Sequence, residues 1–344
     1  MALIDEIRAQ PEVLRRALAE EYAEVERIAA AIRRADVRYL FLAARGTSDN
    51  AGLYAKYLLG AHNGLPLALA APSLFTLYGA PPRLEGALVV AISQSGQSPD
   101  IVAVVEEGKR QGRPTLAITN APDSPLAEAA DYVIDIHAGE ERAVAATKSY
   151  TAQLLAVAML SVALEGSSAR LEALRRLPDA VETALAQADR IEAMAQRYRY
   201  MEQCVVLGRG YNYATAFEWA LKLKELTYVV AQPYSSADFR HGPIAIVEPG
   251  FPILVAAPRG RVFGDLLTLM EELAESRRAE MVVVSDDEAA LKLAQTPLPI
   301  PHVEAWLSPL VSIVPAQLFA LYLTIARGLD TESPRGLRKV TRTR

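Results

Sequence analysis

The sequence predicts an α/β fold: two tandem three-layer αβα units, each with a mainly parallel sheet, plus N-terminal helices and a C-terminal tail. Three observations predict it. Short, uniformly apolar runs alternate with helix-patterned segments, as in parallel sheets covered on both faces. The polar turns ending those runs recur at near-constant spacing. Gly46 and Gly210 lie 164 residues apart, Gly96 and Gly260 again 164, and AITN at 117–120 precedes VVSD at 283–286 by 166. Such regularity is a mark of duplication. Finally, 344 residues suit two domains of about 150 each.

The N-terminal stretch MALIDEIRAQPEVLRRALAEEYAEVERIAAAIRRAD is charged and helix-periodic, without the uninterrupted apolar segment of a signal peptide. The run 39–44 reads as a strand, Gly46, Thr47, Ser48 and Asp49 as its turn, and a helix follows to about Leu59. In EGALVVAISQSGQSPDIVAVVEEGKRQG the same grammar returns: strand at 87–92, polar turn at 93–98, and Pro99 in the first turn of a helix. PTLAITN and DYVIDIH are the third and fourth strands, and GEERAVAATKSY leads into a long Ala/Leu-rich helix. CVVLGRGYNYATAFEWALKLKEL then restarts the pattern. The expected domains are an N-terminal helical segment (1–29), a first unit (30–170), a helical connector (171–194), a second unit (195–330) and a tail (331–344). The copies are chemically unequal, because SQSGQS in the first is matched by APRGRV in the second. The first is therefore the expected anion-binding half.

Hydrophobic residues make up 51% and charged residues 22%, which supports a sizeable core and excludes a disordered chain. A net charge of -5 argues against non-specific nucleic-acid binding. One cysteine, Cys204, forms no internal disulfide, and four histidines leave little material for a metal centre. No run reaches 18 apolar residues, so no membrane span is expected, and the apolar stretches 152–165 and 309–326 read as buried helices. Together these features predict a cytoplasmic protein.

Four constellations can do chemistry. In the turn holding Ser93, Gln94, Ser95, Gly96 and Ser98, backbone N–H groups at a helix start favour a phosphate; the hydroxyls add donors and glycine permits close approach. Thr47 and Ser48 occupy the equivalent point of the first strand, and open α/β sheets bind ligands at this edge. This turn matches neither GxGxxG nor GxxxxGK[ST], so no nucleotide or dinucleotide cofactor is implied. In EWALKLKEL, Glu218, Lys222 and Glu225 share one helix face, where Lys222 can hold either carboxylate and leave the other free. Their apolar neighbours suggest partial burial, which can raise a carboxylate's pKa toward the range useful for proton abstraction. His241 lies in a polar loop before Gly-Pro, and histidine is a side chain that can serve as acid or base. The tail ESPRGLRKVTRTR mixes apolar and basic residues and can carry a lysine into a site.

Taken together, RGTSDNAG, SQSGQSPD, EERAVAATKSYTAQ, GRGYNYATAFEWALKLKELTY, SADFRHGP and SPRGLRK resemble the sugar-isomerase (SIS) family. More narrowly, they are similar to the isomerase half of glutamine–fructose-6-phosphate aminotransferases, from about residue 5 to the end. The resemblance implies aldose–ketose interconversion of a hexose or hexosamine 6-phosphate, without metal or redox cofactor. It assigns the phosphate to Ser93, Gln94, Ser95 and Ser98, and places Ser48 by the sugar, with Val144 of AVAATK in the same binding set. It makes Glu225 the proton carrier between C1 and C2, with Glu218 and Lys222 beside it, and Lys339 the near-terminal lysine that binds the open-chain sugar. His241 opens the ring and comes from the neighbouring subunit of a homodimer.

The departures from the family pattern are specific. Met1 leads almost directly into the isomerase-like part, so glutamine is not the expected nitrogen donor. Ala146 stands where the family has a serine, Arg45 where it has a small residue, and Trp219 where it has a glycine. They resemble stand-alone relatives that deaminate glucosamine 6-phosphate to fructose 6-phosphate and ammonia, which is the leading expectation. The alternatives are a plain phosphosugar isomerase or a synthase-like isomerase acting on fructose 6-phosphate, a deglycase for glycated amino acids, and a non-catalytic phosphosugar sensor that needs only the phosphate turn.

Overall fold

The computed structural model describes residues 1–339. Two sheets organise the chain. The first holds β1 (Tyr39–Ala43), β2 (Leu67–Leu69), β3 (Ala87–Ser93), β4 (Thr115–Thr119) and β5 (Tyr132–Asp135), all parallel, in the order β2-β1-β3-β4-β5. The second holds β6 (Gln203–Gly208), β7 (Val230–Ser235), β8 (Pro252–Ala256), β9 (Glu280–Ser285) and β10 (Thr296–Pro299), also parallel. Its order, β7-β6-β8-β9-β10, repeats the first.

The register repeats as well. Leu40 pairs with Leu67 as Cys204 does with Ala231, and Phe41 with Val89 as Val205 does with Ile253, all offset by 164. Val89 faces Thr115 as Ile253 faces Met281, an offset that has become 166 at β9. Leu116 faces Tyr132 as Val282 faces Thr296, which brings the offset back to 164 at β10. The duplication therefore reaches down to individual strand pairs, and a two-residue insertion before β9 is cancelled after it.

Strands β2, β7 and β10 are absent from the sequence expectations, and β2 and β7 show why. Both are edge strands. Strand β2 has three residues, of which only Leu67 is buried, and β7 contains Pro233, which an edge tolerates because the lost N–H need not serve a ladder. Neither carries the apolar run that betrays a central strand such as β3, in which every residue is buried.

Two glycines show how helices cover both faces of the first sheet. A Cβ on Gly52, in the helix Thr47–Asn63, would lie 2.8 Å from Leu42 Cδ2, and one on Gly108, in Pro99–Arg110, 2.7 Å from Val89 Cγ2. Leu42 and Val89 point to opposite faces, since Val89 pairs with Phe41, the residue preceding Leu42. In the second sheet, Val205, Leu207, Ile253, Val255, Met281 and Val283 bury one face against the helix Phe263–Glu275. The helix Ser308–Ala326 packs with Tyr213–Thr227. It is the one described helix long and apolar enough to cross a membrane, and 89% of its apolar window is buried inside the protein, as a core helix requires.

The residues cluster into two compact units. One comprises 1–11, 142–147 and 176–337 and holds the second sheet; the other comprises 12–141, 148–175 and the described residues from Arg338 on, and holds the first. Residues 340–344 of the expected tail lie outside the described residues.

Candidate active site

In the unit of the first sheet, β3 delivers Ser93 into the polar turn and the helix Pro99–Arg110 leaves it. Gly96 sits at φ +61°, and a Cβ there would fall 2.0 Å from Ser124 Oγ, so both backbone and space demand glycine. The Gly96 N–H donates to Ser93 Oγ (3.2 Å) and the Gln97 N–H to Ser95 Oγ (3.3 Å). The Asn120 N–H donates to the Gln94 carbonyl (3.2 Å), fixing the turn to the end of β4. Ser98 is the residue before the helix, and its hydroxyl makes no capping bond. Ser93 is buried, while Gln94, Ser95 and Ser98 are half-buried. After β1, Gly46 precedes a helix whose first residues are Thr47 and Ser48, and Ser48 Oγ accepts from Gln153 Nε2 (3.0 Å).

Arg45 is not idle in this unit. Its Nε and Nη2 both donate to Asp100 Oδ2, at 3.0 and 2.8 Å, and Asp100 is in the first turn of the helix after the serine turn.

The tail lysine is also seated here. Asn120 donates to the Gly139 carbonyl (2.8 Å) and accepts from the Ala138 N–H (2.8 Å), holding the loop that leads to Glu141. Glu141, fully buried in its side chain, accepts from Ser149 N–H (3.1 Å) and Oγ (2.7 Å) and from Lys339 Nζ (2.9 Å). Sequence reasoning missed Glu141, which holds Lys339, and Asn120, which holds the loop leading to Glu141. A lone Glu or Asn in a loop carries no pattern, and the partner of Glu141 lies 198 residues away.

In the unit of the second sheet, Lys222 Nζ contacts both carboxylates, Glu218 Oε1 at 3.4 Å and Glu225 Oε2 at 2.5 Å. The expected choice of one partner is thus corrected: spacings of four and three residues both bring a carboxylate within reach of one ammonium. Burial is also graded rather than partial throughout. The side chains are 0% exposed at Glu218, 1% at Lys222 and 23% at Glu225, so only Glu225 reaches solvent. Burial works against the Lys222 charge, but the two carboxylates outweigh it and hold the ammonium above its usual range. Trp219 points elsewhere. It is fully buried and edge-on to Phe319 at 6.0 Å, a core contact with the long apolar helix, so its departure from the family pattern is one of packing.

His241 follows the short helix Ser236–Arg240 and is exposed. Val144 and Ala146 are half-buried in the segment 142–147, which Glu6 holds by accepting from the Arg142 N–H (2.5 Å) and the Ala143 N–H (3.3 Å). Cys204 is buried and its thiol is pushed up to about 12 by desolvation, the mark of a core filler rather than a nucleophile. Among the described residues, no group of His, Cys, Asp and Glu is arranged to hold a metal ion.

The SIS domain family profile matches residues 35–163 and 199–327, one match per sheet. This chain belongs to the SIS domain family. Within that family it is homologous to the isomerase half of glutamine–fructose-6-phosphate aminotransferase. The enzyme of that name from Thermus thermophilus is 36% identical over 351 residues, which cover 98% of this chain and 58% of the relative. The chain thus spans little more than half the length of the curated relatives it matches. Among solved structures, the C-terminal domain of glucosamine-fructose-6-phosphate aminotransferase from Francisella tularensis matches with a TM-score of 0.88 at 27% identity, covering 97% of this SIS chain and 98% of that one. Glucosamine-6-phosphate deaminase from Thermotoga maritima shares the fold over 100% of both chains, with a TM-score of 0.79 at 22% identity.

Proposed function

We propose that the chain isomerises an amino-sugar phosphate, converting glucosamine 6-phosphate and water to fructose 6-phosphate and ammonia. The observation that carries this reading is the graded triad on the helix Tyr213–Thr227: a buried carboxylate, a buried ammonium and a carboxylate that reaches solvent. Such an array suits proton transfer at carbon, because Lys222 holds Glu225 in place while Glu218 balances the charge beneath it. The hydroxyl turn at Ser93, Gln94, Ser95 and Ser98 takes the phosphate, with Thr47 and Ser48 beside it at the same sheet edge and Val144 as a further sugar contact. His241, exposed on its loop, assists ring opening in a homodimer, from the neighbouring subunit. Glu225 removes the proton from C2 of the open aldose and returns it at C1 through an enolamine. The resulting imine at C2 takes up water and releases ammonia. Lys339, oriented by Glu141, neutralises the charge that develops on the sugar oxygen. No step calls for a metal or redox cofactor, and the chemistry is that of a cytoplasmic metabolic enzyme.

The test is to incubate the protein with glucosamine 6-phosphate and to measure ammonia and fructose 6-phosphate in the same sample. Equal amounts of both are expected. Ketose formed without ammonia from another aldose phosphate would make the chain a plain isomerase. Turnover of a glycated amino acid phosphate would make it a deglycase, and binding without turnover a sensor.

A further inference from the structure

The ion pair of Arg45 and Asp100 has a counterpart in the second copy. Arg209, 164 residues after Arg45, binds Asp265, which likewise lies in the first turn of the helix after the third strand of its repeat order, Phe263–Glu275. The tie between the end of the first strand and that helix is therefore an inherited feature. The two versions differ in burial. Asp265 is 49% exposed and also accepts from Ser236 Oγ (3.1 Å), whereas Asp100 is 0% exposed. In Asp100, Oδ2 takes both Arg45 donors and Oδ1 is buried with no hydrogen-bond partner. The copy that buries its carboxylate is the one with the hydroxyl turn, and Asp100 stands two residues beyond Ser98.

A bare carboxylate in that first turn opposes both the helix dipole's attraction for anions and the approach of a phosphate dianion. Arg45, whose side chain is half-exposed, is the cation set against it. Its field also reaches the neighbouring turn: burial raises the Asp49 carboxyl, and Arg45 pulls it back. We infer that Arg45 is a positioning residue for substrate charge, which cancels Asp100 and thereby keeps the serine turn competent for a phosphate dianion. This rests on the phosphate role assigned to that turn under the proposed function.

The experiment measures inorganic phosphate binding by calorimetry, and KM and kcat with glucosamine 6-phosphate, for wild type, Arg45→Ala, Asp100→Asn and the double variant, with circular dichroism to confirm folding. Arg45→Ala is expected to weaken phosphate binding and raise KM by about tenfold or more, with kcat largely kept. Asp100→Asn is expected to bind phosphate at least as tightly as wild type. The double variant is expected to return to within about threefold of wild type. If the pair were only a mechanical tie, Asp100→Asn and the double variant would bind as poorly as Arg45→Ala, and that result overturns the inference. Unchanged binding in Arg45→Ala overturns it too, while leaving the phosphate site standing. A wild-type protein that binds no phosphate overturns the phosphate site and this inference together. Should Arg45→Ala not fold, Asp100→Asn decides alone: equal or tighter binding supports the inference and weaker binding contradicts it.

Discussion

Lys222 holds a charge where solvent does not reach, and everything about it follows from two carboxylates one helical turn away on either side. Removing it with Lys222→Met leaves the fully buried Glu218 without its cation. A broken buried pair of this kind costs about 3–5 kcal/mol, so urea unfolding should show a loss of that order. The pH dependence has a definite sign. The folded-state value of Lys222 is raised, so its stabilisation is complete below the ordinary lysine value and is lost only as pH rises through the raised one. The penalty of Lys222→Met should therefore not fade across about pH 6 to 9, and the orphaned Glu218 carboxylate deepens it as pH rises. A penalty that faded within that range would contradict the charge assignment. The spacing of Glu218, Lys222 and Glu225 was legible in the sequence because helical periodicity is local. Their order of burial was not, because it depends on which face meets the helix Ser308–Ala326, more than eighty residues downstream.

At the scale of elements, the turn after β3 carries the anion-binding expectation, and Gly96 is its most constrained point. Gly96→Ala introduces a methyl group where Ser124 Oγ lies 2.0 Å away and imposes a left-handed φ on alanine. A destabilisation of about 1–3 kcal/mol in urea unfolding is expected, together with weaker phosphate binding. A neutral Gly96→Ala would show that the turn is looser than its geometry indicates. The central strands, the serine turn and the long buried helices were legible because uniform apolar runs and polar strand ends are written in consecutive residues. The edge strands β2 and β7 were not, because three residues, or a strand with a proline, carry too little pattern. The seat of Lys339 was illegible for a different reason. Its partner Glu141 is set by a loop that Asn120 holds, and nothing in the composition of a loop announces a contact across 198 residues.

For the whole molecule, the repeated strand order and register show two copies of one architecture, and their divergence suggests a division of labour. The duplication was visible as an offset of 164 in the sequence; the compact units were not, because short N-terminal and loop segments join a sheet remote in the chain. If the first sheet anchors phosphate and the second supplies the base, substitutions in the two should leave different kinetic signatures. Ser95→Ala removes a donor to a charged group and should raise KM for glucosamine 6-phosphate about tenfold or more, with kcat much less affected. An unchanged KM would remove Ser95 from the phosphate site. The decisive measurement is the turnover of glucosamine 6-phosphate by Glu225→Gln beside wild type, with inorganic phosphate binding measured on both. A fall in kcat of about a hundredfold or more with phosphate binding intact is the expected result. Turnover at the wild-type rate would show that Glu225 is not the group that moves the proton.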